Sequence, residues 1–289
     1  MKKGLIILMA VFINQLLFTG TKVFGQDSKD QVSLKKIWES PNLLTTCESV
    51  CYDAVDHFLF VSCINGNPTD KDGNGFISRL SITGEITTLS WITGLNAPKG
   101  MGIFMRKLYV TDIDRIVEID IDKAAIIKEY PVTDAKFLND ITIDKEGNVY
   151  ISDMATGKIH RLFKGVVETW LEDKNISGPN GLFYEEGEIL IGTKEGIFST
   201  QIEDKRTWQI IRNTGGIDGL EADGYGNYLI SDWMGKIQLV NSNREPILLN
   251  NTTDQMINAA DIEYLPATKT LYVPTFSDNR VMAYELIYK

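Results

Sequence analysis

An internal repeat constrains this chain more than any other feature. Six segments share one pattern: Glu48-Ser-Val-Cys-Tyr-Asp, Lys99-Gly-Met-Gly-Ile-Phe, Asn139-Asp-Ile-Thr-Ile-Asp, Asn180-Gly-Leu-Phe-Tyr-Glu, Asp218-Gly-Leu-Glu-Ala-Asp and Asp261-Ile-Glu-Tyr-Leu-Pro. Their starts lie 51, 40, 41, 38 and 43 residues apart. After a turn containing Gly or Lys, each leads into a second apolar run: Leu59 to Cys63, Leu108 to Asp112, Val149 to Asp153, Ile189 to Thr193, Tyr228 to Asp232 and Leu271 to Thr275. A period near 40 built from short β-type runs and turns marks a propeller blade, whereas a helical repeat would show apolar residues at 3.6-residue spacing. Third strands follow, as in Lys158-Ile-His-Arg-Leu-Phe, and fourth strands, as in Val166-Val-Glu-Thr-Trp-Leu. The sixth repeat reaches Lys289 without a fourth strand, and Ser33-Leu-Lys-Lys-Ile-Trp38 has the pattern to supply it and close the ring, removing an open edge. The expectation is an all-β fold: one six-bladed β-propeller over residues 26–289, with four-stranded blades, an N-terminal strand completing the last blade, and no helix of note.

Residues 1–25 read as a cleavable secretory signal, opening Met-Lys-Lys, with an apolar run from Leu5 to Phe18 and then a polar stretch that includes Val23 and Gly25 before Gln26. The run is 14 residues, short of the roughly 20 that span a bilayer, and a tethered form is the alternative. A periplasmic or secreted, unanchored monomer is therefore expected. The full chain carries −10, and losing Lys2, Lys3 and Lys22 with the signal makes the remainder −13. Such a balance excludes a nucleic-acid partner held by phosphate contacts. Cys47, Cys51 and Cys63 are the three cysteines. A hairpin around Asp53 to His57 would set Cys47 opposite Cys63 and leave Cys51 over; a bridge between the two and three small core residues are both open readings. None has a cationic neighbour in sequence that would make it a nucleophile.

The starts of the innermost strands ring the central channel of a propeller at one height. That ring is Glu48, Lys99, Asn139, Asn180, Asp218 and Asp261, all polar where packing alone would favour small or apolar residues. Carboxylates facing one another in a narrow channel raise each other's pKa, and a bound cation removes the conflict. With only His57 and His160 in the chain, histidine-based chemistry has little to draw on. The oxygen donors Glu48, Asn139, Asn180 and Asp218 suit a hard divalent ion, Ca2+ first, with Mg2+, Mn2+ or Zn2+ as the other candidates. A solvated channel whose polar residues bond one another and water is the competing reading. Lys99 faces either an anionic substrate or, more simply, Asp261 in a salt bridge.

These residues resemble the senescence-marker protein, regucalcin and gluconolactonase-like family of six-bladed propellers, which includes drug-responsive lactonases and, more distantly, paraoxonases. The likeness rests on Glu48-Ser49, Asn139-Asp140, Asn180-Gly181 and Asp218-Gly219 in matching blades and spans residues 45–287. It implies that Glu48, Asn180 and Asp218 hold a divalent metal, with Asn139 beside metal and substrate. It further implies a metal-dependent hydrolase of lactones or related esters, in which Asp218, or secondarily Asp140, is the catalytic base that activates water. Two departures stand out. The gluconolactonase branch has an arginine two residues before its middle Asn, where this chain has Phe137, and neither His57 nor His160 fits the paraoxonase pair. A non-catalytic ligand- or protein-binding propeller is the alternative from another class. A strictosidine-synthase-like lyase is a third, disfavoured because that branch lacks the metal residues. Asp70-Lys-Asp-Gly-Asn-Gly-Phe-Ile77 begins like a calcium loop, yet its twelfth position is Ser81, so a turn into a strand is expected. Asn175, Asn250 and Asn251 sit in glycosylation-type triplets and read as surface loops.

Overall fold

The computed structural model describes residues 32–288, and the signal-like segment 1–25 lies outside them. β1 (Val32–Glu39) comes first. Blade 1 is β2 (Cys47–Asp53), β3 (Phe58–Cys63), β4 (Gly75–Ser81) and β5 (Ile86–Leu95); blade 2 is β6 (Pro98–Phe104), β7 (Lys107–Asp112), β8 (Arg115–Asp120) and β9 (Ala125–Pro131). Blade 3 is β10 (Leu138–Ile143), β11 (Val149–Asp153), β12 (Lys158–Phe163) and β13 (Val166–Glu172); blade 4 is β14 (Leu182–Glu185), β15 (Glu188–Thr193), β16 (Gly196–Gln201) and β17 (Thr207–Arg212). Blade 5 is β18 (Leu220–Ala222), β19 (Tyr228–Asp232), β20 (Lys236–Asn241) and β21 (Arg244–Asn251), and blade 6 is β22 (Glu263–Leu265), β23 (Thr270–Pro274) and β24 (Val281–Tyr288). Each of the six sheets is four-stranded and antiparallel, because β1 adds to β24 in the order β1-β24-β23-β22. The six-bladed propeller read from the repeat is therefore the fold, and its only helical element among the described residues is a 3-10 turn at Thr253–Gln255. Asn250 and Asn251 end β21 rather than occupying a loop.

The second strands read as continuous apolar runs because both of their faces are covered. Successive side chains point to opposite faces, so Ile189 and Ile191 pack with Tyr150 and Trp170 of blade 3 while Leu190 packs with Leu220 and Ile230 of blade 5. Six buried clusters lie one at each seam between blades. The closing seam, between blades 6 and 1, joins Val281 and Ala283 to Val50, Leu59 and Val61. Burying each such aliphatic side chain contributes about 2 kcal/mol, so the ring is held together by side-chain packing between sheets that share little backbone pairing.

Cys47 and Cys63 are register partners across β2 and β3, as the hairpin predicts, and both carry free thiols, as does Cys51. Cys47 Sγ donates to the carbonyl of Arg280, and burial pushes its pKa up to about 12. The Asp70–Ile77 segment forms the expected turn, with Asp72 accepting from the Asn74 backbone and side chain and Lys71 pairing with Asp114.

Candidate functional site at the channel mouth

Local backbone irregularity explains how the ring residues reach the channel. In blades 1, 2 and 3 the register of the first two strands shifts between Cys47 and Val50, Pro98 and Met101, and Leu138 and Ile141, so Glu48, Lys99 and Asn139 lie in bulges. A bulge re-aims a side chain and leaves an N–H outside the ladder. In blades 1 and 3 a serine at the penultimate position of the second strand takes up that N–H, Ser62 Oγ accepting from Ser49 and Ser152 Oγ from Asp140, both at 2.9 Å. Ser231 Oγ accepts from Gly219 in the same way in blade 5, at 2.8 Å, while Thr111 of blade 2 donates instead to the Asn139 carbonyl.

The residue after each ring position meets the backbone of the next blade. A Cβ at Gly181 would lie 2.6 Å from the Asp218 carbonyl, and one at Gly219 only 2.4 Å from the Ile262 nitrogen. The glycines of the Asn180-Gly181 and Asp218-Gly219 pairs are thus packing requirements. Where this residue is larger it bonds across the seam instead: Ser49 Oγ donates to Asp261 Oδ2 at 2.6 Å, and Asp140 Oδ2 accepts from Leu182 N at 2.6 Å.

Five of the six ring residues come together. Glu48, Lys99, Asn139, Asn180 and Asp218 line one cavity of about 270 Å3, with Ile64, Pro68, Phe137, Met154, Trp233 and Phe276 forming its apolar wall. Asn180 Nδ2 donates to Asp218 Oδ1 at 2.6 Å. Three buried oxygens remain without a partner: Glu48 Oε2, Asn180 Oδ1 and Asp218 Oδ2. Burial, followed by Asp218 and Asp261, drives the Glu48 carboxyl well above its usual range, against the pull of Lys99. Burial likewise raises Asp218 to about 7, the Asn180 bond lowering it and Asp232 raising it.

Asp261 and Asp140 do not join the cavity lining. Asp261 is engaged by Ser49 and not by Lys99, which corrects the expected salt bridge; Lys99 Nζ instead donates to the carbonyls of Pro68 and Ala97, both at 3.0 Å. Asp140, a candidate base from sequence, has both oxygens occupied, Oδ1 by Ile141 N and Oδ2 by Leu182 N, each at 2.6 Å. The fixed geometry makes it a staple between blades 3 and 4. His57 bonds Tyr52 in an exposed turn, and His160 is buried beside Thr169 in blade 3, so neither lines the cavity.

The wall residues come from connections the repeat does not mark. Phe137 sits between β9 and β10, where Asp153 accepts the backbone N–H of Lys136 and Phe137 at 3.0 and 3.1 Å. Trp233 and Phe276, from the β19–β20 and β23–β24 turns, meet edge to face with centroids 5.4 Å apart. Asn258 bridges these two turns, donating to the Trp233 carbonyl and accepting from Ser277 N. The signal available in sequence was position: Met154 and Trp233 each follow the closing Asp of a second strand. On the innermost strands β18 and β22, Glu221 and Glu263 add two carboxyls raised by burial, Glu263 to about 7, that the ring reading missed.

As a fit for a cation, the donors are two carboxylates and two amides, all oxygen. Among the described residues no three His, Cys, Asp or Glu side chains converge into a metal-binding cluster. The three orphaned oxygens are nonetheless the atoms a hard divalent ion would satisfy, with water completing its shell.

Fold and site together define a six-bladed β-propeller with a polar ring and an apolar wall at one end of its channel. No family model and no curated protein matches the sequence. Solved structures do match. A streptogramin B lyase is 13% identical over 89% of this chain and 98% of its own, with a TM-score of 0.63. A catalytically inactive virginiamycin B lyase from Staphylococcus aureus, with quinupristin, is 15% identical over 89% of this chain and 100% of its own, at 0.61. A chain of a nidogen/laminin complex is 19% identical over 71% of this chain and 80% of its own, at 0.57. At these identities the likeness carries the propeller fold alone.

Proposed function

We propose that this chain is an exported hydrolase of lactones or related esters that depends on a divalent cation at the channel mouth. The observation that carries the reading is the convergence of Glu48 Oε2, Asn180 Oδ1 and Asp218 Oδ2, buried and unpartnered, on a cavity large enough for a small ligand. These three residues would hold the cation, Ca2+ by donor type with Mg2+, Mn2+ or Zn2+ as alternatives, and Asn139 stands in the same ring. A bound cation supplies Lewis-acid polarisation of a carbonyl oxygen and balances the ring's negative charge. Asn180 Nδ2 fixes the rotamer of Asp218, and by resemblance Asp218 would act as general base toward water in exchange for its cation contact. The apolar wall excludes bulk water and receives the organic body of an uncharged substrate. Phe137 and Lys99 take the side of the site where a sugar-recognising arginine would be expected by resemblance, which favours an apolar over a polyhydroxylated substrate.

The test is metal content and turnover on a lactone and ester panel with each cation added. Asp218→Ala and Glu48→Ala should lose bound metal and lower kcat/KM by about 100-fold or more. Unchanged metal content and turnover in both variants would sink the reading. A ligand-binding propeller without turnover is the second reading, favoured by the predominance of apolar wall over polar ring; metal binding with silence across the panel selects it.

A further inference from the structure

Lys99 is an unusual lysine. It is 1% exposed, and among the described residues it belongs to no ion pair. Its two hydrogen bonds go to main-chain carbonyls, Pro68 O and Ala97 O, both at 3.0 Å. A neutral amine has two N–H groups and an ammonium three, so these carbonyls satisfy every hydrogen of the neutral form and leave one tetrahedral position for the lone pair. The nitrogen lies 4.5 Å from the centroid of the Phe137 ring, and both residues line the channel-mouth cavity. Burial holds the Lys99 pKa down at about 8, while the more distant Glu48 and Asp112 pull it upward. A desolvated lysine beside an apolar cavity is a nucleophile rather than a charge-pairing group.

We propose that Lys99 is a carbonyl-capturing amine, forming a covalent imine with small aldehydes or ketones whose apolar body fits the cavity between Phe137, Trp233 and Phe276. The amine nitrogen attacks the carbonyl carbon, and a C=N bond replaces C=O. The carbonyl oxygen leaves as water with both amine hydrogens, so no oxidant or reductant is consumed. Uptake of one proton from solvent gives the protonated imine, whose single N–H can donate to one of the two backbone carbonyls. This activity goes beyond ester hydrolysis and needs no cation, so each can fail without the other.

The probe is benzaldehyde, incubated with the full chain and sodium cyanoborohydride, which delivers hydride to the imine and fixes it as a benzylamine for peptide mapping. Lys99 should be benzylated on the order of tenfold faster than the exposed Lys145. Benzyl alcohol, which fills the same space without a carbonyl, should slow labelling at Lys99 and not at Lys145. Labelling of Lys99 no faster than Lys145, or equal protection of both, overturns the proposal. Lys99→Arg keeps N–H donors for the two carbonyls while removing the nucleophilic amine. Its intact-mass time course should lose the fast phase and retain the slow surface phase; a surviving fast phase also overturns the assignment.

Discussion

Asp140 and Asp218 make the sharpest internal comparison in the molecule. Both lie at or next to a ring position, Asp140 within β10 and Asp218 just before β18; both are about 5% exposed or less, and burial raises the carboxyl pKa of each. They differ in where their oxygens go. Asp140 spends both on backbone N–H groups of Ile141 and Leu182, whereas Asp218 spends one on Asn180 and leaves the other bare against the cavity. Depth of burial and direction of titration therefore do not separate a fully bonded carboxylate from one with an oxygen left free. Hydrogen-bond accounting does, because a fully satisfied group has nothing left to offer a ligand.

The largest effect that would break this contrast is expected at Asp140. Asp140→Ala strands two buried N–H groups and should cost about 3 kcal/mol in chemical denaturation. A cost close to zero would mean the staple is not structural. Gly219→Ala should follow at about 2 kcal/mol, since the added Cβ would sit 2.4 Å from the Ile262 nitrogen and the seam must open; an unchanged midpoint would remove the packing explanation of the Asp-Gly pair. Asp218→Asn should cost least without metal, within about 1 kcal/mol, because the Asn180 bond survives and a buried acid is lost.

The pH dependence sharpens the same contrast. Burial raises Asp218 and Glu263 to about 7 in the folded chain, from ordinary values of 3.8 and 4.5. A carboxyl raised on folding binds its proton more tightly in the native state, so its contribution is complete below the unfolded pKa and fades as pH rises through about 7. Cation-free protein should therefore lose Tm between about pH 4 and 7 from these groups. Added Ca2+ should restore it above pH 7 in the wild type and not in Asp218→Asn. Equal Ca2+ stabilisation of both would move the cation away from Asp218.

Much of this was legible before any coordinates. The second strands of the blades stand where their apolar runs place them, and the six ring positions follow from the repeat, because both depend on local pattern and on a period the chain repeats. The glycines in the matching dipeptides were legible as a motif and not as a cause; only the approach of the next blade's backbone explains them. Lys99 shows the limit more clearly. Its place in the ring follows from spacing, but its partners are carbonyls of Pro68 and Ala97, and no side-chain pattern reports where a carbonyl points.

By itself, the sequence determined the number of blades, the strand order within each, and the closure of the last blade by Val32–Glu39, since each rests on alternation and period within a short window. Tertiary structure alone decided which ring oxygens are satisfied and which are bare, and which turn residues wall the cavity. Those outcomes depend on distances between blades tens of residues apart, such as Asn180 to Asp218 and Asp140 to Leu182. Partner satisfaction is a property of the assembled ring, because it is set only when every neighbouring donor has been placed.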